Sequence, residues 1–189
     1  MVFGQCRAYF KMQKREAILF IDGSNFYHNS KSLIDKAERI DFNLLAKFIC
    51  EKFDLKLKQI RYYNAVPDIE ENKDVYYNHL RFLDKLKKDR IIVRTRKLNY
   101  VENLKIKIEK GVDVLIAADM IRKSLVEKEC KVCILISGDS DFVPVMEIIK
   151  KAGCEVVVCS PQQGFSNELR QGKFRYLVLK KEDLSKCLK

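Results

Sequence analysis

Residues 17–25 have the sequence AILFIDGSN, and residues 132–142 have the sequence VCILISGDSDF. In both stretches, five apolar residues run directly into a polar turn that contains glycine and aspartate. An apolar run of this length with branched side chains is typical of a buried parallel strand. In an open α/β sheet, ligands bind outside the carboxyl ends of such strands. The two stretches therefore predict one sheet edge that carries Asp22, Asp139 and Asp141.

The rest of the chain alternates strand patterns with helix patterns. Further strands are predicted at residues 59–65, 91–93 and 154–159, and helices after Asp41, at about 70–88 and at 111–126. Ser24 and Asn25 are expected to cap a helix that reaches about Ala37. A second helix, capped by Asp41, is expected to bury a face that includes Leu44. This alternation predicts a three-layer α/β/α sandwich around a mainly parallel sheet.

Length and composition favour one soluble domain. The chain has 189 residues, of which 47% are hydrophobic and 33% charged. We expect a basic arm or edge element at residues 1–16, the domain itself at 17–180 and a tail at 181–189. No apolar run approaches the roughly 20 residues that a membrane span needs, and the first sixteen residues lack the apolar stretch of a signal peptide. We therefore expect a cytoplasmic protein without a membrane partner.

The seven cysteines agree with a reducing compartment. Cys130 and Cys133 have the spacing of a metal or redox pair, but no second pair with matching spacing exists to complete a zinc site. Cys133 also lies within an apolar run, where a small buried side chain is expected. A structural role is favoured for both.

Positive charge is concentrated in two segments. The formal net charge of the chain is +11. Residues 1–15 contain Arg7, Lys11, Lys14 and Arg15 and no acid, and residues 85–110 contain ten basic residues against three acidic ones. Basic segments beside an acidic site are typical of a protein that binds a polyanion. Lysine-rich surfaces also serve solubility alone, so charge by itself does not decide between these interpretations.

Clustered aspartates at a sheet edge favour a metal site. Several carboxylates brought together repel one another unless a cation or shared protons neutralise them. Oxygen ligands of this kind suit a hard divalent ion such as Mg²⁺. A Mg²⁺ or Mn²⁺ ion activates water and stabilises charge during phosphodiester hydrolysis, so no Ser/His/Asp triad is required.

Three short motifs follow one another in the chain: residues 22–25 (DGSN), 110–113 (KGVD) and 137–142 (SGDSDF). Together they resemble the NYN domain, specifically its LabA-like branch, within the PIN-like nuclease superfamily. The resemblance covers residues 17–159. It implies a small α/β/α domain that cleaves RNA, in our interpretation single-stranded RNA, with a divalent metal held by clustered acids. It leaves a homodimer open.

The resemblance assigns roles to individual residues. Asp22 and Asp139 are expected to ligate metal directly, with Asp113 and Asp141 completing the acidic and catalytic cluster through water. Asp113 and Asp141 each lie near a helix start, where an acid also serves by complementing the helix dipole. Asp119 matches an acidic position of the branch. Since it lies six residues after Asp113, or about 600° around a helix, the two cannot share one face, and its role stays open.

Further residues are expected to contact substrate. Asn25 is expected to orient a phosphate or a carboxylate, with capping of its own helix as the alternative. Ser137 has a similar expected role, with turn formation as its alternative. Lys105 and Lys107 alternate with Leu104, Ile106 and Ile108 and predict one basic face of a hairpin. Lys110 is the remaining candidate for a phosphate contact, although a solvated lysine is the more common case.

Two other functions compete with a ribonuclease. One is a module that binds RNA or protein with little or no turnover; intact motifs argue against it. The other is a phosphatase or phosphotransferase, whose families usually place a second aspartate two residues after the nucleophile. Ser24 occupies that position after Asp22, which makes this function the weakest of the three.

Overall fold

The computed structural model describes residues 13–70, 72–101, 106–109, 111–171 and 173–189, with 97–101 and 106–109 described by their backbone alone. The strands are β1 Arg15–Asp22, β2 Leu55–Val66, β3 Ile92–Val101, β4 Ile106–Glu109, β5 Val132–Ile136, β6 Glu155–Pro161 and β7 Arg175–Leu179. The helices are α1 Gly23–Lys31, α2 Phe42–Phe53, α3 Lys73–Lys88, α4 Val112–Ile121, α5 Val143–Lys151, α6 Asn167–Arg170 and α7 Lys181–Ser185. Among these residues, no helix is long and apolar enough to cross a membrane.

The seven described strands form one sheet in the order β4-β3-β2-β1-β5-β6-β7. Six of them are parallel, and β4 pairs antiparallel with β3 at one edge. The predicted mainly parallel α/β sheet is thus confirmed. β1 lies in the middle, and its last six residues are buried, because helices cover both faces of the sheet.

Helices cover the two faces in separate groups. On one face, α1, α2, α3 and α7 pack into a core that includes Phe26, Leu45, Leu83 and Leu184. On the other face, α4, α5 and α6 pack into a second core. Alternate residues of β1 enter the two cores, as the period of two in a strand requires. The result is the three-layer sandwich that the sequence predicts.

Three details of the first two helices differ from expectation. Asp22, rather than Ser24 or Asn25, caps α1, because its carboxylate accepts the Asn25 N–H. The helix ends at Lys31, and Ala37 belongs to a separate 3₁₀ turn. In α2, Asp41 is the cap as predicted, but Leu44 is 43% exposed, so its assignment to the buried face was wrong.

Residues 181–189 pack onto the sandwich. Helix α7 buries Leu184, and the following Cys187 is buried in the same core. The Cys187 carbonyl oxygen accepts a hydrogen bond from the Asp41 backbone N–H at 2.7 Å. The Lys189 ammonium pairs with the Asp41 carboxylate at 2.8 Å. These contacts tie the C-terminal segment to the start of α2.

Candidate active site

A polar cleft of about 310 Å³ lies at the carboxyl ends of the central strands. Its walls come from the β1–α1 turn, from α1, from the first turn of α4 and from the turn after β5. The lining residues are Asp22, Ser24, Asn25, His28, Asn29, Asp113 and Asp139. Three of the four predicted acidic residues therefore face one space, although they are up to 117 positions apart in sequence.

The pairing of β1 with β5 brings the two main motifs together. Ile21 lies opposite Ile136 in the register, so the next residues, Asp22 and Ser137, are neighbours. The Ser137 hydroxyl donates to Oδ2 of Asp22 at 3.1 Å, while Oδ1 of Asp22 accepts the Asn25 N–H at 3.1 Å. Asp22 is only 5% exposed. Its carboxylate is thereby fixed in orientation at the inner end of the cleft.

Asn25 joins α1 to the second motif. Its Oδ1 accepts the Gly138 N–H at 3.0 Å and the Asn29 side-chain amide at 2.9 Å. The side chain therefore holds the β5 turn against α1 and does not cap its own helix. Within the described residues its amide nitrogen has no hydrogen-bond partner, which leaves a donor in the wall of the cleft.

Asp139 is positioned by its own turn. Its N–H donates to the Ser137 hydroxyl at 3.3 Å, and its Oδ1 accepts the Asp141 N–H at 2.9 Å, which caps the 3₁₀ turn that leads into α5. The Ser137 hydroxyl consequently links the carboxylate of Asp22 to the backbone N–H of Asp139. Asp141 is exposed and does not line the cleft.

Two glycines permit this close approach of the turns. A Cβ atom on Gly23 would lie 2.3 Å from the Tyr62 ring and 2.7 Å from the Tyr63 carbonyl oxygen. A Cβ atom on Gly138 would lie 2.0 Å from the Gly164 carbonyl oxygen. Contacts below 3 Å with backbone cannot be relieved by a rotamer change, so both motifs require glycine at these positions.

Asp113 lies in the first turn of α4. Burial raises the pKa of its carboxyl, and the negative charges of Asp139 and Asp141 raise it further. Acids from two separate chain segments therefore share one electrostatic field, including Asp141 outside the cleft. A bound cation is the ordinary way to offset such repulsion.

The oxygen atoms of the cleft are of the types that bind a hard divalent ion, but the number of converging side chains limits how many protein ligands the ion could have. Carboxylate, amide and hydroxyl oxygens are the ligand types that Mg²⁺ and Mn²⁺ prefer. Among the described residues, however, no three His, Cys, Asp or Glu side chains converge at metal-ligand spacing. Mg²⁺ commonly uses one or two protein carboxylates and keeps several waters. The cleft matches that mode and does not match an all-protein cage.

Asp119, whose role the sequence left open, belongs to a different environment. It is 3% exposed. Its Oδ2 accepts from the Arg61 guanidinium at 2.8 Å and from the Tyr63 hydroxyl at 2.9 Å, and its Oδ1 accepts from Arg122 at 2.7 Å. Burial alone would raise the pKa of Asp119, but these three hydrogen bonds outweigh burial and hold it below its ordinary value. Asp119 thus anchors α4 to β2.

Sequence reasoning missed Ser24, His28 and Asn29 as cleft residues. His28 and Asn29 follow Asn25 by three and four positions, so they share its helix face. That spacing was available in the sequence, but it is a weak signal without a known start for α1. His28 is exposed, and its ring contacts Tyr27 edge-on at 5.7 Å between centroids.

The predicted basic contacts fall largely outside the described residues. Lys105 and Lys110 lie outside them, as do Arg7 and Lys11 of the N-terminal arm. Lys107 is described by its backbone, which pairs with Tyr100 between β4 and β3. The described strands β3 and β4 therefore pair antiparallel, as the predicted hairpin requires, while the phosphate-binding roles of its lysines stay predictions.

Comparison with known proteins agrees with this architecture. Residues 16–180 match the NYN domain family. The chain belongs to the NYN domain family. The NYN domain is part of the PIN-like nuclease superfamily, whose members are in general dependent on divalent metal ions.

A solved structure supports the fold of this NYN domain. The crystal structure of a protein of unknown function from Vibrio parahaemolyticus is similar, with a TM-score of 0.64 and 18% sequence identity. The similarity covers 90% of this chain and 96% of the other. At that identity the likeness concerns the fold alone. A search of curated protein sequences finds no significant match.

Proposed function

We propose that this NYN domain is a metal-dependent ribonuclease of the LabA-like branch that hydrolyses single-stranded RNA in the cytoplasm. The observation that carries the proposal is the shared cleft of Asp22, Asp113 and Asp139, with Ser137 hydrogen-bonded to both Asp22 and Asp139. The carboxyl edge of a parallel sheet is where ligands bind in open α/β folds, and this cleft collects three aspartates there.

Asp22 and Asp139 are the proposed direct ligands of a Mg²⁺ or Mn²⁺ ion. Asp22 is held on both carboxylate oxygens, and Asp139 is held by the turn that follows β5. Asp113 and Asp141 add negative charge at longer range and bind metal-bound water. When bound, the metal supplies an activated water and stabilises charge on the phosphate.

The polar residues of α1 are proposed to position the RNA. The free amide N–H group of Asn25 points to a role as donor to a phosphate oxygen. Ser24 and Asn29 add polar groups to the same wall. The exposed His28 ring, braced by Tyr27, offers a surface on which an unpaired base stacks. Stacking of this kind requires an unpaired base, which favours a single-stranded substrate.

An RNA- or protein-binding module without turnover is the second candidate. The observation that favours it is the lack of three converging metal-ligand side chains among the described residues. The two candidates differ in what happens to the RNA after binding, and a cleavage assay separates them.

The test is incubation of the purified protein with labelled single-stranded RNA, double-stranded RNA and single-stranded DNA in Mn²⁺, Mg²⁺ or EDTA. The proposal predicts cleavage of single-stranded RNA with Mn²⁺ or Mg²⁺ and none in EDTA. Cleavage that persists unchanged in EDTA would contradict the metal mechanism. Tight RNA binding without cleavage in either metal would support the binding module. Sedimentation of the same sample tests whether the protein is a homodimer.

A further inference from the structure

A second cavity, of about 510 Å³, lies at the amino ends of the strands, at the opposite end of the sheet from the acidic cleft. Its residues stand at the amino ends of four strands: Arg15 begins β1, Lys131 precedes β5, Glu155 begins β6 and Arg175 begins β7. Strand β5 separates it from the acidic cleft. Ser137 follows Lys131 by six positions, which corresponds to about 20 Å along the strand.

Positive charge dominates this cavity. Among the described residues, its cationic side chains are Arg15, Lys131, Lys150, Lys173 and Arg175, and its lining contains one acid, Glu155. The Glu155 carboxylate pairs with both arginines, and Lys173 pairs with Glu147 outside the lining. Even with both acids included, three positive charges stay uncompensated. Lys131 and Lys150 form no ion pair with any described residue.

Four of the five cations are held in place by contacts that leave donors free. Glu155 fixes the guanidinium groups of Arg15 and Arg175, but each guanidinium has five N–H groups. The Lys150 ammonium lies 5.5 Å from the centre of the Phe174 ring, and the Arg175 guanidinium lies 4.7 Å from that of Phe53. The entropy cost of ordering these side chains is therefore partly met before a ligand binds.

The floor of the cavity is apolar. It is formed by Phe174, Val156 and Cys154, each of which is buried in the core beneath α5. A cationic rim above an apolar floor is complementary to a compact anion whose charge lies at the rim. Like charges gathered at one place repel one another, and an anionic ligand removes that repulsion.

We propose that this cavity is a second ligand site that binds phosphate groups. The phosphates belong either to an RNA strand or to a small nucleotide, since both present the same anionic oxygens to lysine and arginine. The proposal rests on the cavity alone and does not require that the acidic cleft bind metal or cleave RNA. The two sites are separated by the length of a strand and share no lining residue, so the cavity can be tested independently of the cleft.

The test measures pyrophosphate binding by calorimetry in EDTA, which prevents metal-dependent cleavage. The variant Lys131→Gln/Lys150→Gln removes two cavity charges. The control Lys36→Gln/Lys47→Gln removes two exposed lysines from the opposite face of the sheet. We expect the cavity variant to bind pyrophosphate roughly tenfold more weakly, and the control to change affinity by less than about twofold, as for partly exposed charge contacts.

A second arm identifies the source of the phosphate. Single-stranded RNA of 6 and of 20 nucleotides is compared with adenosine diphosphate on the same proteins. If the cavity binds RNA, the 20-nucleotide RNA should bind the wild type more tightly than the 6-nucleotide RNA does. This difference in affinity should disappear in the cavity variant. A nucleotide site predicts that adenosine diphosphate alone loses affinity in the cavity variant. If pyrophosphate, RNA and nucleotide all bind equally to the cavity variant and the control, the proposal is wrong.

Folding is checked by the melting temperature of each variant. If the double variant melts well below the wild type, Lys131→Gln alone replaces it. The Lys131 side chain is exposed and forms no hydrogen bond or ion pair with another described residue, so Lys131→Gln should not affect folding. The single variant is then expected to weaken pyrophosphate binding by about threefold, and unchanged affinity would overturn the proposal.

Discussion

Helix α4 carries two aspartates with opposite surroundings. Asp119 lies in the interior, where Arg61, Arg122 and the Tyr63 hydroxyl neutralise and bond its carboxylate. Asp113, six residues earlier, lies beside the cleft, where its neighbours are other acids. The pKa of Asp119 is lowered and that of Asp113 is raised.

The difference shows how to separate structural from functional acids in this fold. A carboxylate that the protein itself compensates with cations needs no outside partner. Carboxylates that raise one another's pKa, as Asp139 and Asp141 do for Asp113, are unfavourable for folding unless a ligand offsets their repulsion. Asp119 is therefore the internal reference for the proposed roles of Asp22 and Asp139.

The largest effect is expected from Asp139→Asn. The change keeps the size and the acceptor for the Asp141 N–H but removes a charged metal ligand. Because metal binding contributes several kcal/mol of transition-state stabilisation and each 1.36 kcal/mol is tenfold in rate, kcat for RNA cleavage should fall by roughly a thousandfold. A gel-based single-turnover assay measures it.

The exposed Asp35→Asn is the matched control and should retain wild-type activity. The melting temperature of metal-free Asp139→Asn should be equal to or slightly above that of the wild type, because one repelling charge is removed. The same holds for Asp22→Asn. A loss of many degrees in either variant would show that these acids are structural.

Asp119→Asn should produce the opposite pattern. Removing one partner of a buried ion pair leaves Arg61 buried and uncompensated, at a cost of about 3 kcal/mol in the free energy of unfolding. For a domain of this size the melting temperature should fall by roughly 6–12 °C. Thermal and urea denaturation measure it, and a shift as small as that of Asp35→Asn would contradict the anchoring role of Asp119.

The pH dependence of the free energy of unfolding should also show the contribution of the Asp119 carboxylate, with a smaller effect than the substitution. The folded pKa of Asp119 lies below its unfolded value of about 3.9. The stability that the ionised Asp119 carboxylate contributes is therefore complete above about pH 4 and is lost as the pH falls through the folded pKa. Between pH of about 4 and 2, the free energy of unfolding should decline less steeply in Asp119→Asn than in the wild type. Parallel curves from urea titrations would contradict this.

The smallest effect concerns His28 in the cleft. His28→Ala should weaken binding of single-stranded RNA by about 1 kcal/mol, or roughly fivefold, because it removes a stacking surface. His28→Phe should retain most of the affinity, since it keeps a ring. Tyr77→Ala, an exposed aromatic on α3, is the control. If the Phe variant binds as weakly as the Ala variant, His28 acts through its nitrogen atoms instead.

The fold was predictable because its decisive signals are local. The apolar runs of β1 and β5 lead into turns that carry Asp22 and Asp139. The alternation of strands and helices follows from sequence periodicity. The meeting of residues 22–25 with 137–139 followed from the rule that parallel strands share a carboxyl edge. The position of Leu44 was not predictable, because a helix of this composition offers two overlapping apolar faces.

Other features depend on contacts that no sequence pattern contains. The N-cap of α1 is Asp22 because the strand continues one residue further than its apolar run. Two of the three partners of Asp119, Arg61 and Tyr63, come from β2, more than 50 residues away. The helical rotation between Asp113 and Asp119 predicted only that the two side chains lie on different faces of α4. The cationic cavity joins residues from four strand ends and the end of α5, far apart in the chain.

The central claim is that the cleft acids are compensated by a metal ion, whereas Asp119 is compensated by arginines. Titration of Mn²⁺ into the protein, followed by the loss of the free-ion signal in electron paramagnetic resonance, tests it directly. Wild type and folded Asp119→Asn should bind Mn²⁺ alike, and Asp139→Asn should bind it at least about tenfold more weakly. Equal binding by wild type and Asp139→Asn, or no binding by wild type, would contradict the claim.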